Sequence, residues 1–160
     1  MGCGLKKECD VNIDINPKVN PDIVSDFLFL PLKNTSFSRV IFNHSLEHVS
    51  QPKTALRETY RILKTGGVLS VQFPNHLALS SLYNIVKENP FLNIADADYS
   101  PDKHWSFFTI IHMIYLYFIS GFTPFKIMLD PRYDKYRMMR RLYNLFPFFC
   151  PYIILYGRKR

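Results

Sequence analysis

Short β-branched runs in this chain end on residues that can do chemistry. Two glycines one residue apart, Gly2-Cys3-Gly4, precede residues 11–15 (VNIDI), a run that reads as a strand closed by Asn16-Pro17. Asp14, with Ile15 beside it, lies at its C-terminal edge. Residues 21–26 (PDIVSD) repeat the pattern and put Asp26 and Phe27 at the end of a second run. A third, residues 39–43 (RVIFN), ends on Asn43-His44. In an open parallel sheet the strand C-termini form the ligand crevice, where glycine lets backbone approach a ligand and an acid can accept two hydrogen bonds from ribose hydroxyls. The pattern therefore suits a nucleoside-containing cofactor. A dinucleotide suits it less, because that fingerprint needs G-x-G-x-x-G with an acid about twenty residues further on. Asp14 follows Gly4 by ten.

Other polar positions are weaker. His44 and His48 stand at i, i+4, but no third ligand is evident and no metal is expected. Glu47 reads more simply as an acid in a helix first turn than as a base. His104, in a polar loop before an aromatic stretch, is a substrate-side candidate together with His48. Cys3, Cys9 and Cys150 show neither CxxC pairing nor zinc spacing, so a reducing, cytoplasmic setting is expected. The first residues form no apolar run, so no secretory leader is expected, and Lys6 stands where a myristoylation signal needs Ser or Thr.

The elements that must hold these residues follow from pattern. Pro52 opens a helix of about thirteen residues, capped near Ser50 or Gln51 and stopped by Gly66-Gly67. Residues 68–73 (VLSVQF) form the next strand, ending at Pro74-Asn75, and strand, helix, strand with short links signals a parallel α/β sheet. A helix is expected over residues 76–87 and a loop over 88–104. Residues 105–125 carry no formal charge, yet their longest purely apolar stretch is only seven residues. A buried helix over 109–120 followed by a strand at 125–129 fits better than a membrane span. An amphipathic helix at 133–146 and a strand at 153–156 close the chain. At 160 residues, with 48% hydrophobic positions, the chain is the size of one domain and apolar enough for a core, which excludes disorder and disulfide-stapled scaffolds. The net charge of +7 comes entirely from the last thirty residues, with eight Lys and Arg against Asp134 alone. Residues 1–130 are expected as an α/β domain, with 131–160 adding a basic amphipathic helix and closing strand.

Taken in order, Gly2-Cys3-Gly4, Asn12-Ile13-Asp14-Ile15, Asp26, Leu30-Pro31-Leu32, Asn34-Thr35-Ser36-Phe37 and Asn43-His44-Ser45-Leu46-Glu47-His48-Val49 resemble the class I S-adenosylmethionine-dependent methyltransferases of the type 11 group. Arg57-Glu58, Tyr60-Arg61-Ile62-Leu63-Lys64, Gly66-Gly67 and Pro74-Asn75 continue the likeness, and His104 and Gly121-Phe122 resemble later landmarks. The resemblance covers roughly residues 2–125. It implies a Rossmann-like, mostly parallel sheet with flanking helices and S-adenosylmethionine as cofactor. Gly2 and Gly4 would then lie beside the methionine part, Asp14 on the ribose hydroxyls, Asp26 near the adenine amine, and Asn43 with His44 along the pocket wall. It also implies a small-molecule or lipid-like methyl acceptor, no nucleic-acid partner, and no obligatory catalytic dyad, since positioning can supply most of an in-line methyl transfer.

The chain departs from the family pattern at Phe37-Ser38-Arg39, where an acid is usual, and more severely at its start. The family's glycine loop follows a central strand, and Met1 stands already inside that loop, so the resemblance implies an N-terminally truncated domain without its first central strand. The alternatives are an inactive remnant or binding module, or a protein whose basic aromatic C-terminus makes a peripheral membrane contact.

Overall fold

The computed structural model describes residues 1–2, 9–78, 106–130, 143 and 145–160. Six strands run in chain order: β1 (Ile13–Asp14), β2 (Ile23–Val24), β3 (Phe37–Asn43), β4 (Leu63–Pro74), β5 (Phe122–Leu129) and β6 (Tyr152–Lys159). Two α-helices, α1 (Pro52–Ile62) and α2 (Ile110–Ile119), accompany them. β1 and β2 pair in parallel as a separate two-stranded sheet, while the main sheet has the order β3-β4-β6-β5. β3 and β4 are parallel around α1, as the strand-helix-strand pattern requires, and β6 runs antiparallel to both β4 and β5. The fold is thus Rossmann-like α/β with a mixed sheet. The expected helices over 76–87 and 133–146 and the loop over 88–104 lie largely outside the described residues.

Pro52 begins α1 because a first-turn residue needs no N–H, and Ala55, Leu56, Thr59 and Ile62 form its buried face. Gln51 is the N-cap residue, without a side-chain hydrogen bond. The helix stops at Ile62, not at the glycine pair. There Leu63 turns extended and starts β4, while Lys159 Nζ donates to the carbonyls of Tyr60 (2.6 Å) and Leu63 (2.8 Å). A buried ammonium on the last carbonyls does what a C-terminal glycine would otherwise do. Gly66 and Gly67 instead serve a slip in the β3–β4 register, where Phe37 pairs with Leu63 but Arg39 pairs with Val68. Gly66, at φ +76°, takes the turn that this excursion needs.

Helix α2 matches its expected span, with Thr109 Oγ1 accepting from the His112 amide (3.2 Å) at the cap. It buries Ile110, Met113, Leu116 and Tyr117 and leaves Ile111, Tyr115 and Phe118 exposed. With ten residues it is too short to cross a membrane, and no described helix is long and apolar enough to do so. Both closing strands are longer than their apolar cores suggested. β5 starts at Phe122, and β6 extends to Lys159 because it lies between β4 and β5, where ladder bonds on both edges hold residues 157–159 in strand form.

Among the described residues the two sheets are separate. β1 pairs only with β2, and β3 is an edge of the main sheet. Met1 and Gly2 bridge the interval: the Met1 ammonium donates to Ile41 O (2.7 Å) and the Gly2 amide to Ile13 O (2.8 Å). Below this bridge lies an open cleft of about 280 Å³, lined by Val11 and Ile13 on one side and Ser38, Arg39, Val40 and Ile41 on the other.

Candidate functional site

The C-terminal ends of β1 and β3 meet Met1-Gly2, the end of β2 lies beside β1, and three hydrogen bonds tie these segments together. The Gly2 amide is held by Ile13 O, one residue before Asp14; Ser45 Oγ donates to Met1 O (3.1 Å); and the Ser25 amide donates to Asp14 O (3.1 Å). Asp14, Asn43 and His44 thus stand at or just past the ends of β1 and β3, next to the Met1-Gly2 bridge, and Asp26 lies just past the end of β2. Gly2 has φ +62°, and a Cβ there would collide with the Ser45 side chain, so its position needs glycine both for conformation and for space. Ser45 was not among the expected site residues, and nothing but its place after Asn43-His44 could have singled it out.

Both aspartates also shape turns. Asp14 Oδ1 accepts from the Asn16 amide (3.0 Å), and Asp26 Oδ1 accepts from the Leu28 amide (3.0 Å). Asp14 is half-buried at the last position of β1, whereas Asp26 is exposed beyond β2. Beneath them Asp22 Oδ2 accepts from the backbone amide (2.7 Å) and side-chain amide (2.8 Å) of Asn12, which fixes the approach to β1. Ile15 is exposed, but Phe27 is not open to the crevice: it packs edge-on against Phe42 in the core, with ring centroids 5.5 Å apart. Gly4 and His104 lie outside the described residues.

The wall after β3 is unusual. His44 has φ +47°, and its amide donates to Gln72 O (3.1 Å) at the end of β4. The single 3-10 turn Leu46–His48 follows, with Glu47 buried and its carbonyl accepting from the Ser106 amide (3.1 Å). Glu47 thus stands in the first turn of a helix as expected, although that helix is a single 3-10 turn. His48 is half-buried in the same turn, and no group of metal-binding side chains forms among the described residues. Near the ends of β4 and β5, Gln72 Nε2 donates to Asp130 Oδ2 (3.2 Å), a buried pair that sequence patterning did not signal.

Comparisons with known proteins fit this geometry. Residues 8–71 match the family model of the methyltransferase domain, Methyltransf_11. A ubiquinone/menaquinone biosynthesis C-methyltransferase of Ruegeria sp. (strain TM1040) is 35% identical over 71 residues, which are 42% of this chain and 28% of that enzyme. Among solved structures, a SAM-dependent methyltransferase of Thermotoga maritima superposes with a TM-score of 0.62 at 22% identity, over 85% of this chain and 62% of its own. The 1,6-didemethyltoxoflavin-N1-methyltransferase of Burkholderia thailandensis, solved with bound 1,6-didemethyltoxoflavin and S-adenosylhomocysteine, gives 0.57 at 13% identity, over 92% and 59%. The chain thus spans less than two thirds of the length of each of these relatives. The matched family implies S-adenosylmethionine as a cofactor. The residues present suit it: a glycine with no room for a Cβ at position 2, and the half-buried carboxylate of Asp14 at the end of β1.

Proposed function

We propose that this chain, which carries a class I methyltransferase domain, binds S-adenosylmethionine across the ends of β1 and β3 and transfers its methyl group to a small-molecule or lipid-like acceptor. The observation that carries this reading is the position of Gly2, bonded through its amide to the Asp14 strand and packed on Ser45 beside His44. The cofactor supplies an activated methyl group on a sulfonium. Gly2 lets the backbone come close to it, Asp14 accepts from the ribose hydroxyls, and Asp26 stands near the adenine edge. Asn43 and His44 line the side from which an acceptor approaches. Holding donor and acceptor in line supplies most of the rate enhancement for such a displacement.

The test is calorimetric titration of the chain with S-adenosylmethionine and with S-adenosylhomocysteine. Saturable binding of both is expected, and no binding of either overturns the reading.

A further inference from the structure

Helix α2 (IIHMIYLYFI) has no charged face: none of its ten residues carries a fixed charge. A helix that is apolar all round is normally covered all round. One side of α2 meets that condition, with Met113, Leu116 and Tyr117 buried. On the other side Ile111, Tyr115 and Phe118, at i, i+4 and i+7, are 66%, 60% and 57% exposed, with Ile114 half-buried among them. The helix packs chiefly along β5, which is the outer strand of the main sheet at the opposite edge from β3. There Phe125, Ile127 and Met128 are exposed as well. Exposed apolar side chains gathered in this way mark a contact surface.

Charge indicates what covers it. Neither residues 106–129 nor residues 145–160 contain an Asp or Glu, whereas Lys126, Arg158 and Arg160 are exposed. Lys126 Nζ lies 5.7 Å from the centre of the Tyr156 ring and the Arg158 guanidinium 5.2 Å from that of Phe125, so each cation stands on an aromatic ring of the same sheet edge. A second copy of the chain suits this edge poorly. Pairing β5 with its own copy about a twofold axis would set Lys126, near the middle of the strand, close to its counterpart, and a lysine there blocks edge-to-edge pairing. A soluble acidic protein would match the cations but not the apolar side of α2. An anionic lipid surface matches both, because its head groups take the cations and its acyl boundary takes the apolar side chains. We propose that α2 and β5 seat this protein on an anionic lipid surface, with Ile111, Tyr115 and Phe118 entering the head-group boundary and Lys126 and Arg158 meeting the lipid anions. The contact is separate from the ends of β1 and β3 and does not depend on the transferase reading.

Vesicle co-sedimentation of the full chain tests the contact. At low salt the wild type is expected to sediment with vesicles of phosphatidylcholine and phosphatidylserine in equal parts, and much less with phosphatidylcholine alone. Lys126→Gln together with Arg158→Gln should lower affinity for the mixed vesicles about thirty-fold, at roughly 1 kcal/mol per cation near the surface, and added salt should act the same way. Ile111→Gln together with Phe118→Gln should lower it about a hundredfold through lost apolar burial. All four side chains are exposed, and an unchanged unfolding midpoint separates lost binding from lost folding. If either double variant melts early, the single changes Tyr115→Gln and Arg158→Gln carry the same comparison. No sedimentation of the wild type with mixed vesicles, or equal sedimentation of the wild type and the α2 variant, overturns the proposal. A concentration-dependent dimer that the Ile111 and Phe118 changes abolish also overturns it, since a second copy then covers α2. So does binding to soluble polyglutamate as tight as binding to vesicles, which makes charge alone the feature recognised.

Discussion

Arg61 holds Glu58 with two parallel hydrogen bonds, Nε to Oε1 at 2.9 Å and Nη2 to Oε2 at 2.7 Å, one turn apart on α1. The same guanidinium donates to Leu30 O (2.9 Å), Leu32 O (2.7 Å) and Asn34 Oδ1 (2.7 Å), while Glu58 Oε2 accepts from the Leu30 amide (3.2 Å). The pair thereby clamps residues 30–34, the link between β2 and β3, onto the helix. Arg61 and Glu58 stood in the sequence only as part of a family resemblance; the clamp gives them a physical reason.

That clamp makes stability depend on acid. The Arg61 hydrogen bonds hold the Glu58 carboxyl below the usual carboxylate range, with the Leu30 amide helping and partial burial opposing. A lowered folded-state pKa contributes stability that is present above the unfolded carboxylate pKa and is lost as pH falls through the lowered folded value. Chemical denaturation followed from pH 6 down to about pH 3 should show this loss. Glu58→Gln should lower stability at pH 6 and flatten the acid limb; an unchanged limb would show that the clamp contributes nothing.

Asp14 should matter most for the cofactor. If it accepts from both ribose hydroxyls, Asp14→Ala removes two charge-assisted hydrogen bonds and weakens S-adenosylmethionine binding by roughly 2–4 kcal/mol. Asp26→Ala should weaken it less, through a single contact. Because Asp14 also closes the turn at Asn16, the comparison variant is Asp14→Asn, which keeps the Oδ1 acceptor for that amide. Asp14→Asn should retain the melting temperature of the wild type and still lose affinity. Equal affinity in Asp14→Asn and the wild type would remove Asp14 from the site.

Gly157 tests the packing of the main sheet. A Cβ at this position would run into the Tyr117 ring, whose hydroxyl donates to Leu155 O (2.9 Å), and burial pushes that phenol well above its ordinary pKa. Tyr117 has no slack, being fully buried and in contact with Phe122. Gly157→Ala should therefore cost about 1–3 kcal/mol through overpacking, read as a lowered denaturation midpoint. The double change Gly157→Ala with Tyr117→Leu should recover part of it, and a Gly157→Ala protein of wild-type stability would contradict the packing.

Sequence pattern recovered the elements whose signals are local. Residues 39–43 and 68–73 are apolar runs bounded by turn residues, Pro52 marks a helix start, and Thr109 sits at a cap, so β3, β4, α1 and α2 were all legible. The end of α1 was not, because the cap comes from Lys159, 96 residues beyond Leu63. Nor was the length of β6, which depends on neighbours on both edges. Among the candidate site residues, Asp14 and Gly2 stand out from sequence because turn chemistry and a G-x-G spacing are sequence features. The burial of Glu47 was not, because it depends on where a single 3-10 turn lands against Ser106.

The cleft between β1 and β3 leads to the last prediction. Its two walls, Val11 to Ile13 and Ser38 to Ile41, belong to the separate sheets of β1 and β3, and Met1-Gly2 already bonds to one carbonyl on each. A strand placed there, parallel to both and ending at Met1, would pair two ladders and face apolar side chains above and below. A chain carrying five apolar residues fused ahead of Met1 should therefore be more stable, by several kcal/mol if each buried unpaired backbone group costs about 1–3 kcal/mol. For a domain of this size about 3 kcal/mol corresponds to a rise of roughly 6–12 °C in melting temperature. A matched fusion with prolines at alternate positions, which cannot donate to the ladders, should give no rise. If both fusions melt with the original chain, the cleft does not accept a strand, and the bridge made by Met1 and Gly2 is the finished arrangement.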